Sequence, residues 1–125
     1  MEVKKSISSF TDLHVWQEGH TLVLMIYRLT RSLPKEELYS LTDQMKRAVT
    51  SITNNIAEGF GRKTYKDKVY FYYLAFGSVN EIQNQLLICR DLTYISSKDY
   101  EEIIQQQIIV SKLLQGIIKK TKSFI

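Results

Sequence analysis

The side chains able to ligate a metal through an imidazole or a thiolate are two histidines and one cysteine. His14 and His20 are six residues apart, so on a helix at about 100° per residue a rotation of about 240° separates them, about 120° the shorter way, and their imidazoles cannot share a metal. Neither follows a glutamate by three, the spacing of di-iron sites in helical bundles. Cys89 lies in an apolar stretch, where a small buried side chain is a simpler interpretation than a Cys–His nucleophile. We therefore expect no catalytic residue, no metal and no cofactor.

Basic residues gather between positions 46 and 68. Within this segment, residues 59–64 lack the preceding strand and the Gly-Lys-Ser/Thr ending of a phosphate-binding loop, which favours a helix end followed by a basic turn. Lys and Arg neutralise phosphates and the nearby Tyr65 and Tyr70 can stack on bases, so the pattern predicts binding of RNA or DNA. A solvated basic face that keeps the protein soluble is the alternative interpretation. The predicted phosphate contacts are Lys46, Arg47, Arg62, Lys63, Lys66 and Lys68.

A second basic cluster lies near the end of the sequence and comprises Lys112, Lys119, Lys120 and Lys122. Lysines in this position also complement the negative end of a helix dipole. This cluster therefore gives weaker support to a binding surface than the first.

Polar residues at steps of three and four line one side of the segment 47–62. A counterpart follows at 77–81, where Gly77 and Ser78 permit close helix approach and Glu81 can accept hydrogen bonds from Arg47 or Arg62. The alternative to a ligand site is a satisfied polar network at a helix or subunit contact. The residues assigned to that network are Asn55, Glu58, Ser78 and Glu81.

Apolar residues recur at helical spacing in four segments, which predicts helices over about 12–32, 39–60, 65–94 and 98–121. Pro34 ends the first helix, and Gly59 or Gly61 can take the left-handed conformation that often ends a helix such as the second. Candidate N-caps are Thr11 or Asp12 for the first helix and Ser97 or Asp99 for the fourth. Short connections favour an all-α, up-down-up-down antiparallel four-helix bundle.

The third helix is apolar on more than one face, most densely from Val69 to Phe76. A bundle core can cover only one face of a helix, so the remaining apolar surface predicts contact with another subunit. We therefore expect a homo-oligomer.

Composition bounds the remaining possibilities. With 125 residues, 44% of them hydrophobic and 24% charged, the chain is expected to fold as one domain over 1–125, with 1–10 loosely ordered. A net charge of +4 permits binding of nucleic acid without requiring it. The single cysteine, the absence of a signal-like N-terminus and the short apolar runs predict a cytoplasmic protein that does not span a membrane.

Four motifs carry a family resemblance: Phe10-x-Asp12-Leu13-x-Val15-Trp16-Gln17, Tyr39-x-Leu41-Thr42-x-Gln44-x-x-Arg47-Ala48, Ser51-Ile52-x-x-Asn55-Ile56-Ala57-Glu58-Gly59-x-Gly61-Arg62 and Ala75-x-Gly77-Ser78-x-x-Glu81. Together they resemble the bacterial four-helix-bundle proteins encoded by intervening sequences in large-subunit ribosomal RNA genes. That group is similar to the accessory variability protein of diversity-generating retroelements, a pentameric barrel with a basic surface for nucleic acid and reverse transcriptase. The resemblance implies a bundle, a ring-shaped homo-oligomer with a pentamer favoured, and no enzymatic activity.

Two functions from different classes follow. The first is a non-enzymatic oligomeric accessory protein that binds RNA or DNA non-specifically through its basic surface. The second is a homo-oligomeric protein-interaction scaffold, with the polar network at a subunit interface, possible contact with another protein and no nucleic-acid role.

Overall fold

The structure is a computed structural model that describes residues 6–125, so residues 1–5 of the segment 1–10, predicted to be loosely ordered, lie outside the described residues. A capping box follows at once. The Ser9 hydroxyl accepts from the Thr11 amide at 3.2 Å, and the Asp12 carboxylate accepts from the Ser9 amide at 3.1 Å. These bonds satisfy amides that a helix start leaves unpaired, and they form a 3₁₀ turn over Phe10–Asp12.

Four helices make up most of the described chain: α1 His14–Thr30, α2 Leu41–Gly61, α3 Tyr65–Asp91 and α4 Ser97–Lys122. A 3₁₀ turn over Lys35–Glu37 joins α1 to α2, and residues 6–125 contain no strand. The predicted all-α fold is confirmed, and each predicted helix is present with shifts of a few residues at its ends.

Each helix packs antiparallel to its neighbours in the chain, and α4 closes the bundle against α1. Between α2 and α3, Ser51 contacts Ser78 and Met45 contacts Cys89. Residue numbers thus rise along one helix where they fall along the other, so the two helices are antiparallel. Between α1 and α4, the Gln106 amide donates to the Glu18 carboxylate at 2.7 Å. The order is therefore up, down, up, down, and the ends of α2 and α4 point to the same end of the bundle.

The core confirms the predicted apolar stripe of α2 most clearly. Met45, Ile52 and Ile56 are fully buried against residues of the other three helices, including Leu22, Ile82 and Leu114. Burial of large aliphatic side chains contributes about 1.5–3 kcal/mol each relative to exposure, so this stripe holds the four helices together.

Three predicted helix ends are wrong. No described glycine has a positive φ, and α2 ends because Arg62 turns to an extended conformation at φ −75° and ψ 150°. Helix α4 is capped by Ser96, one residue before the predicted candidates, and its hydroxyl accepts from the Asp99 amide at 3.1 Å. Helix α1 has no side-chain cap, since the capping box lies one turn earlier and Leu13 separates the two.

Candidate nucleic-acid interface

Two basic segments that are distant in sequence lie at the same end of the bundle. Tyr65, at the start of α3, packs its ring 5.1 Å from that of Phe124, just beyond α4. Nearby, the Lys122 ammonium group lies 3.2 Å from the Tyr73 hydroxyl. We call the resulting surface the basic end, and it comprises Arg62, Lys63, Lys66, Lys119, Lys120 and Lys122.

Local interactions fix the turn that carries the first of these segments. The Thr64 hydroxyl caps α3 by accepting from the Asp67 amide at 3.1 Å. The Lys68 ammonium group reaches back to the end of α2, where it donates to the Phe60 carbonyl at 2.6 Å and to the Gly59 carbonyl at 3.4 Å. A cation at the last carbonyls of a helix satisfies them and stabilises the helix dipole. Lys68 therefore supports the fold, and we leave it out of the phosphate contacts.

Each predicted arginine pairs with a carboxylate of α2. The Arg62 guanidinium pairs with Glu58 at 3.2 Å and lies 4.4 Å from the Phe71 ring centroid. Arg47 pairs with Asp43 at 2.9 Å. Both pairs are solvent-exposed, and exposed pairs contribute only about 0–1 kcal/mol, so either guanidinium can exchange its carboxylate for a phosphate.

The structure separates the predicted basic residues into two groups. Lys46 and Arg47 lie on α2 fifteen or more residues before Arg62, which follows the helix, so they are roughly 22 Å from it along the helix axis. The Lys46 ammonium group is instead 5.3 Å from the Tyr27 ring centroid, against α1. One ligand at the basic end therefore does not reach Lys46 and Arg47 without running along the bundle.

Four exposed lysines of the basic end are unpaired within the part of the chain that the structure describes: Lys63, Lys66, Lys119 and Lys120. Unpaired, hydrated ammonium groups contact phosphates without first breaking an internal bond. The sequence prediction gave the second basic cluster little weight. The predicted topology already implied that this cluster lies near the first, since the second and fourth helices of an up-down-up-down bundle end on the same side.

The polar network centres on Ser51, a polar residue of the stripe predicted over 47–62. Ser51 accepts from the Asn55 amide at 3.0 Å through its hydroxyl, and the Ser78 hydroxyl donates to the same oxygen at 3.0 Å. Glu81 accepts from the Gln85 amide at 3.2 Å, and not from either arginine as expected. Ser51, Ser78 and Glu81 line a shallow cleft of about 300 Å³ between α2 and α3, and Glu58 lies outside it, paired with Arg62.

The residues considered first for chemistry lie apart from one another. His20 stacks on Trp16 with ring centroids 4.8 Å apart, and His14 is exposed. Cys89 is buried, and loss of solvation together with the charge of Glu37 raises the pKa of its thiol to about 11, so the thiol stays protonated at neutral pH. Among residues 6–125, no group of three or more His, Cys, Asp or Glu side chains is placed to hold a metal ion. No helix in the same range is long and apolar enough to cross a membrane.

The packing of the four helices defines the class of fold: an antiparallel four-helix bundle. Within that class, the chain belongs to the 23S rRNA-intervening sequence protein family, whose sequence model matches residues 11–116. The resemblance drawn from the four motifs is thereby confirmed for this family.

Comparison with solved structures gives the same fold. A crystal structure of a protein with unknown function from the S23 ribosomal protein family of Bacteroides thetaiotaomicron VPI-5482 superimposes with a TM-score of 0.78 at 27% sequence identity. The match covers 84% of this chain and 95% of that chain. Among curated proteins, none matches the sequence.

Proposed function

We propose that this chain is a non-enzymatic, homo-oligomeric, cytoplasmic accessory protein that binds RNA or DNA without sequence preference through its basic end. One observation supports the proposal: Tyr65, between Lys63 and Lys66, packs against Phe124, so that segment and the lysines of 119–122 share one end of the bundle. Phosphate binding by lysines releases condensed counterions, and that release drives nucleic-acid binding without contacts to base edges.

The position of the two acidic residues closest in sequence supports the same surface. Glu58 is engaged by Arg62 at 3.2 Å, and Asp67 lies in the first turn of α3, where a carboxylate complements the helix dipole. Both carboxylates are therefore already engaged in the fold near Lys63 and Lys66. RNA is the first ligand to test, because the family's description connects it to 23S rRNA.

Oligomerisation is supported by the outer face of α3. Tyr70 is 60% exposed, Leu74 42% and Ile88 39%, and a side chain added at Gly77 would meet open space. Large apolar side chains spaced along one helix face are typical of a protein interface. The resemblance favours a pentamer, and several basic ends on one particle would raise the apparent affinity for a long strand by multivalency.

The non-enzymatic part rests on the geometry of the reactive groups. His14 and His20 project to different sides of α1, and the raised pKa of Cys89 opposes formation of a thiolate nucleophile.

A matched pair of double variants tests the binding surface. Lys63→Gln with Lys66→Gln removes two charges from the basic end, and Lys35→Gln with Lys98→Gln removes two exposed charges from the opposite end. Fluorescence anisotropy with labelled RNA, repeated across a salt series, measures affinity and its salt dependence. We expect the first variant to bind more weakly, with a slope of log affinity against log salt shallower by about 1.4–1.8, and the second to match the wild type. Equal behaviour of the two variants would refute the proposed surface.

The second candidate is a homo-oligomeric scaffold for another protein, and the cleft between α2 and α3 favours it. That cleft combines Arg47, Ser51, Ser78 and Glu81, a mixture of donors and acceptors suited to the polar part of a protein interface. A scaffold would keep its oligomeric mass and show no salt-sensitive binding of RNA or DNA in the same titration.

A further inference from the structure

A small groove opens between α3 and α4 at the basic end. Its volume is about 320 Å³, near the lower limit of typical small-ligand sites. Tyr73, Phe76 and Ile118 form its apolar surface, and Gln115, Lys119 and Lys122 supply its polar groups. Tyr73 is 47% exposed, so much of its side chain stays accessible to a ligand.

The polar groups of the groove follow the last two turns of α4. Gln115 and Lys119 are four residues apart and Lys122 comes three later, so the three lie along one face of the helix. The Lys122 ammonium group is 3.2 Å from the Tyr73 hydroxyl and 5.7 Å from the centroid of that ring. Cations therefore lie at the rim of an aromatic surface, with an amide beside them.

We propose that this groove takes one unpaired base of single-stranded RNA or DNA, with Lys119 and Lys122 contacting the adjoining phosphates. This inference rests on the proposed function and specifies the form of nucleic acid that the basic end prefers. A base has a flat apolar face and a polar edge, and a phosphate lies on either side of it along the strand. The Tyr73 ring matches the flat face of the base, the Gln115 amide matches its polar edge, and the two rim lysines match the phosphates.

Single-stranded nucleic acid follows from the geometry because a paired base is stacked on both faces. Only an unstacked base presents a free face to Tyr73, whereas the lysines alone contact single strands and duplexes alike. The groove thus adds a preference for single strands to the sequence-independent attraction of the basic end.

A comparison of two tyrosines isolates the stacking contribution. Tyr73→Leu removes the aromatic ring and keeps an apolar side chain on α3, and Tyr39→Leu makes the same change at a side chain that is 91% exposed near the opposite end. Tyr73→Phe retains the ring without its hydroxyl. Each variant is titrated by fluorescence anisotropy with labelled oligo(U) and with a duplex RNA of equal length, after circular dichroism has established its helicity.

We expect Tyr73→Leu to lose about 5- to 150-fold in affinity for oligo(U), the fold-change that corresponds to about 1–3 kcal/mol of stacking, and to bind duplex RNA as the wild type does. Tyr73→Phe and Tyr39→Leu should keep wild-type affinity for both ligands. Wild-type binding of oligo(U) by Tyr73→Leu, or an equal loss for oligo(U) and duplex, would overturn the base site.

The two proposals fail in different ways. If Tyr73→Leu binds as the wild type and Lys63→Gln with Lys66→Gln still flattens the salt slope, the base site is rejected and the proposed function stands. If the wild-type protein binds neither oligo(U) nor duplex RNA at low salt, both are rejected.

Discussion

Gly59→Ala should destabilise the protein because α3 leaves no room for a side chain at this glycine of α2. A Cβ atom built at Gly59 would lie 2.6 and 2.9 Å from two ring carbons of Tyr72 and 3.2 Å from the Lys68 carbonyl oxygen. Tyr72 is only 3% exposed, so its ring cannot move out to solvent without opening the core. Inserting a methyl group into such a contact costs about 1–3 kcal/mol.

Gly61→Ala is the matched control, since it lies in the same last turn of α2 and nothing within 4 Å would meet its Cβ. Alanine favours helix over glycine by up to about 1 kcal/mol, and both variants share part of that gain. The difference in the free energy of unfolding between the two variants therefore isolates the steric cost, about 1–3 kcal/mol. At about 4 °C per kcal/mol for a chain of this size, the two midpoints of thermal unfolding should differ by roughly 4–12 °C.

Urea denaturation followed by circular dichroism measures that difference, provided that both variants keep the m-value of the wild type. Equal stability of the two alanine variants would refute the close packing of α2 on Tyr72. It would also undermine the geometry of the turn that Lys68 closes and that carries Lys63 and Lys66.

Three further predictions concern other parts of the bundle. Thr93, just after α3, has a φ of 57°, and the Tyr94 amide donates to the Cys89 carbonyl at 2.8 Å in a Schellman-type helix end. This backbone conformation is strained for threonine, so Thr93→Gly should raise the free energy of unfolding, measured by urea denaturation, by about 0.5–1 kcal/mol. An unchanged or lowered midpoint would contradict the strain. Burial, and to a smaller extent Glu37, raises the pKa of the Cys89 thiol from 9.0 to about 11. Between these two values the folded state keeps a proton that the unfolded state releases. The contribution of the thiol to the free energy of unfolding is therefore complete below pH 9 and is lost as the pH rises toward 11. Cys89→Ala should therefore lose less stability than the wild type between pH 8 and 10.5, and equal losses would count against a perturbed thiol. Lys68→Met should lower the free energy of unfolding by about 1–2 kcal/mol, because the Phe60 carbonyl loses a charged donor. The same variant should leave the salt slope of RNA binding unchanged. A shallower slope would mean that Lys68 contacts phosphate.

Periodicity predicted the helices well where one apolar stripe stands alone. On α2 the stripe through Met45, Ile52 and Ile56 is buried as predicted. On α1 the apolar arc is broad: Leu22 and Ile26 occupy the core, whereas Tyr27 is 36% exposed. Spacing finds a helix, but the centre of its buried face depends on which neighbours pack against it.

The site was predictable in its residue types but not in its arrangement. Sequence placed cations at 62–68 and 119–122, and the predicted topology could have joined them, but no local pattern shows that Lys68 turns back to cap α2. The groove beside Tyr73 is built from residues about forty-five positions apart, so only the packed helices reveal it. The burial of Gln107 was not predictable either: this polar residue interrupts the apolar stripe of α4, yet it is only 1% exposed.

The central claim is that an oligomer binds nucleic acid through its basic end, and light-scattering mass with and without RNA across a salt series tests it most directly. In the absence of RNA we predict the mass of an oligomer of two or more chains, and of five chains by the family resemblance. That mass should increase when RNA is added at low salt and return to the RNA-free value as salt rises. A monomeric mass, or an oligomer whose mass is indifferent to RNA and DNA at every salt concentration, would contradict the claim.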